Sequence, residues 1–250
     1  MDKGIYLSMH SAKQILTMQQ VNANNLANAN TTGYKSDFIG FMEQATPAHH
    51  LETRSYSTPT ELGTHFKSGA LQYTQNPLDV AVNGDGFFAV QNINGQVSLS
   101  RRGDFHVGPE GFLKNGAGQF VLGESNDPIQ LPDFSSVSVG RDGVISVLPK
   151  GAAATNMIEV DQLKLVKMNT NQLQKNNEGS LDIKGFGNNE NLESSADVVV
   201  SSGTLEMSNV NPTESMVTMI ELARAFEMQL KYFEQADSNA QKSERLMRLE

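Results

Sequence analysis

Histidines and carboxylates are the residue types in this chain best suited to bind a metal or move a proton near neutral pH. The histidines are His10, His49, His50, His65 and His106. His49-His50 is the one close pair, but neighbours on an extended chain point to opposite sides, and no cysteine or carboxylate cluster completes a metal site. Asn83-Gly84-Asp85-Gly86 has the oxygen atoms of a calcium loop without its ligand spacing or its closing glutamate, so a tight turn is the better reading. Asp79, Asp85 and Asp104 could supply the paired carboxylates of a carbohydrate-active enzyme. Each lies beside a turn glycine or at a strand end, which favours a turn role. Gly116-Ala117-Gly118 lacks the third glycine and the following helix of a dinucleotide fingerprint, and neither G-x-S-x-G nor a P-loop occurs. Arg101-Arg102 reads as a solvated strand end. No catalytic, cofactor-binding or metal residue is assigned, and no cofactor is expected.

A chain of 250 residues makes one large domain or two smaller ones. Its net charge of −9 gives no basic footprint for nucleic acid or anionic lipid. The absence of cysteine removes disulfide and thiol chemistry and fits either redox compartment. The opening MDKGIYLSMHSAK has no apolar run long enough for a cleavable signal or a membrane span, which by itself predicts a cytosolic protein.

Both ends read as helix. At the N-terminus, Ile5, Met9, Ala12, Leu16, Ala23 and Leu26 recur at alternating steps of four and three, broken by Gln19. Asn22, Asn24, Asn25 and Asn28 interrupt good helix formers, at a cost of roughly 2–3 kcal/mol relative to alanine. Such a cost is expected to be offset by amide pairing or by packing against a partner. Thr31-Thr32-Gly33 then stops the helix, with Gly33 suited to a left-handed residue. At the C-terminus, Asn211 is an N-cap, Pro212 suits the first helical position and Glu214 supports the first turn. Met216, Met219, Ile220, Ala223, Phe226, Leu230 and Phe233 follow at helical spacing.

Between the helices the pattern is β. Residues 34–75 are expected to form an extended connector with one or two short strands. Leu78–Val82 alternates toward a β-hairpin turn at Asn83, Gly84, Asp85 and Gly86, and Phe87–Val90 leaves it as the second strand. A further turn falls at Asn94-Gly95, and Ile158–Met168 reads as one alternating strand. Residues 169–197 read as loop. The fold class is α+β: N- and C-terminal helices pairing as an antiparallel coiled-coil-like element, a central antiparallel all-β domain and a β-rich connector. The expected domains are 1–33, 34–75, 76–207 and 208–250. A two-helix pair cannot cover all its apolar surface, so the helices are expected to be completed by other molecules. Two other classes remain open on the residues alone, a secreted β-rich carbohydrate-active enzyme and a soluble coiled-coil adaptor with a β insert.

Asn24-Asn25-Leu26-Ala27-Asn28 followed by Asn30-Thr31-Thr32-Gly33-Tyr34-Lys35 resembles the N-terminal signature of the bacterial flagellar basal-body rod and hook proteins. Asn76 to Phe88, Arg102-Gly103-Asp104-Phe105, Gly111-Phe112-Leu113 and Gly118 to Gly123 resemble that family's central hairpin and the strands after it. Ser208-Asn209-Val210-Asn211-Pro212 and Arg224-Ala225-Phe226-Glu227-Met228 resemble its C-terminal block. Both ends and the middle match in the family's order; residues 169–197 match no part of it. The opening Met1-Asp2-Lys3-Gly4-Ile5-Tyr6 looks most like the proximal-rod members, with the distal-rod members the nearest rival. The resemblance implies a non-enzymatic rod subunit that polymerises through its terminal helices, with the motif Asn24–Tyr34 as the junction to the β region. It implies as partners other proximal and distal rod subunits and further copies of the chain. It also implies export through the flagellar type III apparatus without a cleaved signal, location in the rod across the periplasm, no nucleic-acid partner and no membrane insertion.

Overall fold

The computed structural model describes residues 4–45, 55–151, 156–176, 178–185 and 192–247. His49-His50 lies outside them. The fold is α+β. Helix α1 spans Gly4–Ala27 and helix α2 spans Pro212–Met247, and among the described residues every strand pairing between them is antiparallel. The chain divides into two compact units that are not contiguous in sequence. The first comprises residues 1–29, 37–65 and 210–250; the second comprises 30–36 and 66–209.

In the first unit the two helices pack on each other, and a long two-stranded ribbon, Asp37–Ala45 with Ser55–Thr64, packs against α1 through its first strand. The expected connector therefore contains nine- and ten-residue strands. Helix α2 begins as its sequence dictates. The Asn211 Oδ1 accepts from the amides of Thr213 at 3.1 Å and Glu214 at 3.4 Å, satisfying two N–H groups that no helical carbonyl can reach.

The second unit is built on strand Phe87–Gln91, whose neighbours are Val97–Ser100, Phe120–Val121 and Leu165–Val166. Because side chains alternate across a strand, Phe88 and Val90 enter one core while Phe87 and Ala89 enter another. The first core includes Val80, Leu113, Ile129, Ile145 and Leu163; the second gathers Leu99, Leu122, Val166, Leu173 and Leu181. Asn94-Gly95 closes a true hairpin, with Gln91 opposite Val97 and Gly95 at φ +81°.

The turn at Asn83, Gly84, Asp85 and Gly86 does not close a hairpin. Strand Val80–Asn83 pairs with Val199–Ser202, far along the chain, and Phe87–Gln91 belongs to the eight-stranded sheet. Gly84 has φ +84°, as a tight turn needs, but the turn carries the chain from one sheet to the next. Local sequence signals a reversal; the pairing partner of each flanking strand is a non-local choice. Likewise Ile158–Met168 divides into Ile158–Gln162 and Leu165–Val166, in different sheets, and residues 169–197 contribute strands Leu173–Lys175 and Leu181–Ile183.

Candidate assembly interface

In α1 the covered face is Ser8, Ser11, Ala12, Ile15, Met18, Asn22, Asn25 and Leu26, of which Ile15 is the buried centre at 8% exposure. In α2 it is Ser215, Thr218, Met219, Leu222, Ala225, Phe226 and Gln229. Only Ala12, Leu26, Met219 and Phe226 of the expected stripe lie on these faces. Met9, Leu16, Ala23, Met216, Ile220, Ala223, Leu230 and Phe233 are exposed; Ile5 lies in α1, in a turn whose side chains are outside the described ones. The reason is local ambiguity. Adjacent apolar pairs such as Ile15-Leu16, Met219-Ile220 and Leu222-Ala223 allow two stripes one residue apart, and the helix pair covers the one centred on Ile15 and Leu222. The other stripe remains as an uncovered apolar strip, with Met9 at 59% exposure.

The asparagines hold the end of α1. The Asn22 Nδ2 donates to the Ser215 carbonyl at 2.7 Å, so the last turns of α1 meet the first turn of α2. The Asn25 side chain donates to the Asp37 carbonyl at 2.8 Å and accepts from the Asp37 amide at 2.9 Å. That pair reads the backbone of Asp37 as a strand partner would. The Asn28 Nδ2 donates to the Asn24 carbonyl at 2.9 Å, closing the final turn. At about 1 kcal/mol each, these bonds offset the propensity cost of the asparagines. Ala27 is exposed and is the last helical residue.

Residues 30–36 belong to the second unit. Gly33 lies six residues beyond the end of α1, so its left-handed conformation, φ +66°, does not cap the helix. It lets the Gly33 amide donate to the Glu206 carbonyl at 2.7 Å, and any Cβ there would fall on the backbone of Arg101. Thr32 keeps its hydroxyl buried without a hydrogen bond. Tyr34 is buried, with the Lys175 ammonium 3.7 Å from its ring centroid. The next residue brings in a charge that no local signal places inside: Lys35 donates to the Glu206 Oε1 at 2.6 Å.

Glu206, 2% exposed, also accepts from Arg101 at 3.1 Å and from the Gly69 amide at 3.1 Å. Arg101 is 5% exposed, which corrects its reading as a solvated strand end; its second guanidinium nitrogen donates to the Gly84 carbonyl at 2.6 Å, and it lies over the Phe87 ring. Burial holds the Lys35 ammonium below the usual lysine range, an effect that the Glu206 carboxylate opposes. Sequence reasoning missed Lys35, Arg101 and Glu206 because their only signal was a charge at an inward-facing position of a short strand or loop. Two of the three candidate enzyme carboxylates are otherwise engaged. Asp79 accepts from Asn76, and Asp104 pairs with Arg102 at 2.8 Å. Asp85 is exposed in its turn. Among the described residues no group of three or more His, Cys, Asp or Glu could hold a metal ion, and no helix is long and apolar enough to cross a membrane.

Three family profiles match the chain in sequence order. The flagella basal body rod protein profile covers residues 6–35, the flagellar hook protein FlgE/F/G D1 domain covers 81–147, and the flagellar basal body rod FlgEFG protein C-terminal profile covers 201–246. The chain is 36% identical over 250 residues to the flagellar basal-body rod protein FlgF of Salmonella typhimurium, covering 99% of both chains. It is 36% identical to the FlgF of Escherichia coli, again over 99% of each. It is 31% identical over 270 residues to the flagellar basal-body rod protein FlgG of Buchnera aphidicola, covering 96% of this chain and 99% of that one.

Proposed function

Since the chain belongs to the flagellar basal-body rod FlgE/F/G family, we propose that it is a structural subunit of the rod, of the proximal type, and acts by polymerising rather than by catalysis. Its terminal helices form an antiparallel, coiled-coil-like pair that joins other rod subunits and further copies of the chain. The observation that carries this reading is the apolar strip of Met9, Leu16, Met216, Ile220, Leu230 and Phe233, exposed on helices that already pack on each other. Burial of such a strip against neighbouring helices removes it from water at roughly 25 cal/mol per Å2 of apolar surface.

In this reading residues 1–29 and 210–250 build the rod core, the ribbon within 37–65 goes with them, and 30–36 with 66–209 form the outer β domain. The motif Asn24, Asn25, Leu26, Ala27, Asn28, Thr32, Gly33 and Tyr34 is the junction. The subunit leaves the cytoplasm through the flagellar type III apparatus without a cleaved signal, takes no cofactor, binds no nucleic acid and does not insert in a membrane. Its place is the drive shaft that carries torque from motor to hook. Deleting residues 212–250 tests the assignment. The β cores hold no residue of α2 and should stay folded, while incorporation into basal bodies and motility are lost. Motile cells with intact basal bodies would refute it.

A further inference from the structure

Three stretches of the second unit end at its boundaries with the first: 30–36, the stretch starting at residue 66 and the stretch ending at residue 209. All three are tied to one another there. The Lys35 ammonium donates to the Lys67 carbonyl at 3.0 Å as well as to Glu206. The Asn209 side chain donates to that same Lys67 carbonyl at 3.1 Å and accepts from the Ser36 amide at 2.8 Å, while the Asn209 amide donates to the Tyr34 carbonyl at 3.3 Å. The Glu206 carboxylate receives Gly69, and the Met207 amide donates to the Ala70 carbonyl at 2.8 Å. Arg101 extends the ties from Glu206 to the carbonyl of Gly84, in the turn between sheets.

A subunit whose helices are held by neighbours receives force through these stretches and nowhere else along its backbone. We propose that the Lys35–Glu206–Arg101 cluster, with Asn209 beside it, is a mechanical clamp that makes the three stretches yield together. A force on one stretch alone would peel it bond by bond. Cross-tied, the three must break a buried carboxylate from two cations before any of them moves, and separating those charges without water is the hard step. Lys35 and Glu206 arrive from opposite ends of the chain, so the clamp closes only when both ends are in place. The source of the force rests on the proposed rod function; the clamp itself does not.

The test is force spectroscopy on the full chain. The natural sequence has no cysteine, so Ala29→Cys and Val210→Cys provide unique handles. The clamped chain should open in one event, releasing roughly 3.6 Å per residue of the segment between the handles. Glu206→Gln should add an earlier, short release matching the 30–36 stretch, with opening at fixed force faster by roughly ten- to hundredfold. Asn209→Ala, which removes only half-exposed ties, should show a weaker form of the same early release and keeps the test open where Glu206→Gln does not fold. A single event at unchanged force in both variants overturns the clamp. With the early release established, swimming in viscous medium separates the two ideas. Variant cells that assemble filaments should stall at lower viscosity than the parent, and an unchanged stall would overturn the torque-carrying role while leaving the clamp and the rod assignment standing.

Discussion

Gly33 and Lys35 show how single residues seat the segment between the helices and the sheets. Gly33→Ala forces a Cβ onto the Arg101 backbone in a left-handed conformation, so it should cost about 2–3 kcal/mol, read as a lower denaturant midpoint for the second unit. Wild-type stability in that variant would show that the segment relocates freely. Lys35 gives a pH signature. It faces Glu206 and Arg101, and burial lowers its pKa, so in the window below the ordinary lysine value the unfolded chain binds more protons than the folded one. Stability attributable to Lys35 should therefore rise with pH through that window. Subtracting the Lys35→Met profile from the parent isolates it, and a flat or falling difference would contradict the buried ammonium. The family signature covers residues 24–35, but it does not say that Lys35 is paired inside; that partner, Glu206, is 171 residues away.

Two neighbouring residues of α1 have opposite surroundings. Ile15 is buried by α2 and Leu16 points away, although both are apolar and both suit a helical stripe. Ile15→Ala should lower the stability of the helical unit by about 2 kcal/mol or more, seen in thermal melts by helical circular dichroism. Leu16→Asp should leave the melt within about 0.5 kcal/mol of the parent. The same variant should fail to enter basal bodies, because the charge would be buried against a neighbour without a partner. Normal incorporation of Leu16→Asp would remove the exposed strip from the interface. The asparagines belong to the same scale. Their cost was legible in the sequence, and so was the expectation of amide pairing. That Asn25 holds the backbone of Asp37, where the ribbon starts, depended on how the chain turns after α1.

Across the whole molecule, the two units differ in how much apolar surface they bury by themselves. Among the described residues, the second unit has two cores, while in the helical unit Ile15 is buried and Met9, Leu16, Met216 and Phe233 are exposed. Amide exchange in the monomer should be fast in Gly4–Ala27 and Pro212–Met247 and slow in strands Phe87–Gln91 and Val144–Pro149. The helices should gain further protection on assembly, when neighbouring helices cover the exposed strip. Equal protection of helices and sheets in a monomer would show that the pair needs no neighbours.

The amino-acid sequence by itself determined what depends on neighbouring residues. It set two terminal helices, the Asn211-Pro212 start of α2, the Asn94-Gly95 hairpin and the alternating β middle. These follow from propensity, capping and turn chemistry, which act over a few residues. The tertiary structure decided what depends on distant ones. It chose Val199–Ser202 as the partner of Val80–Asn83, placed residues 30–36 in the sheet unit, and turned Ile15 inward instead of Leu16. It also brought Lys35, Arg101 and Glu206 together. Each of those choices was open to two or more local solutions of similar energy, and only packing against remote parts of the chain separated them.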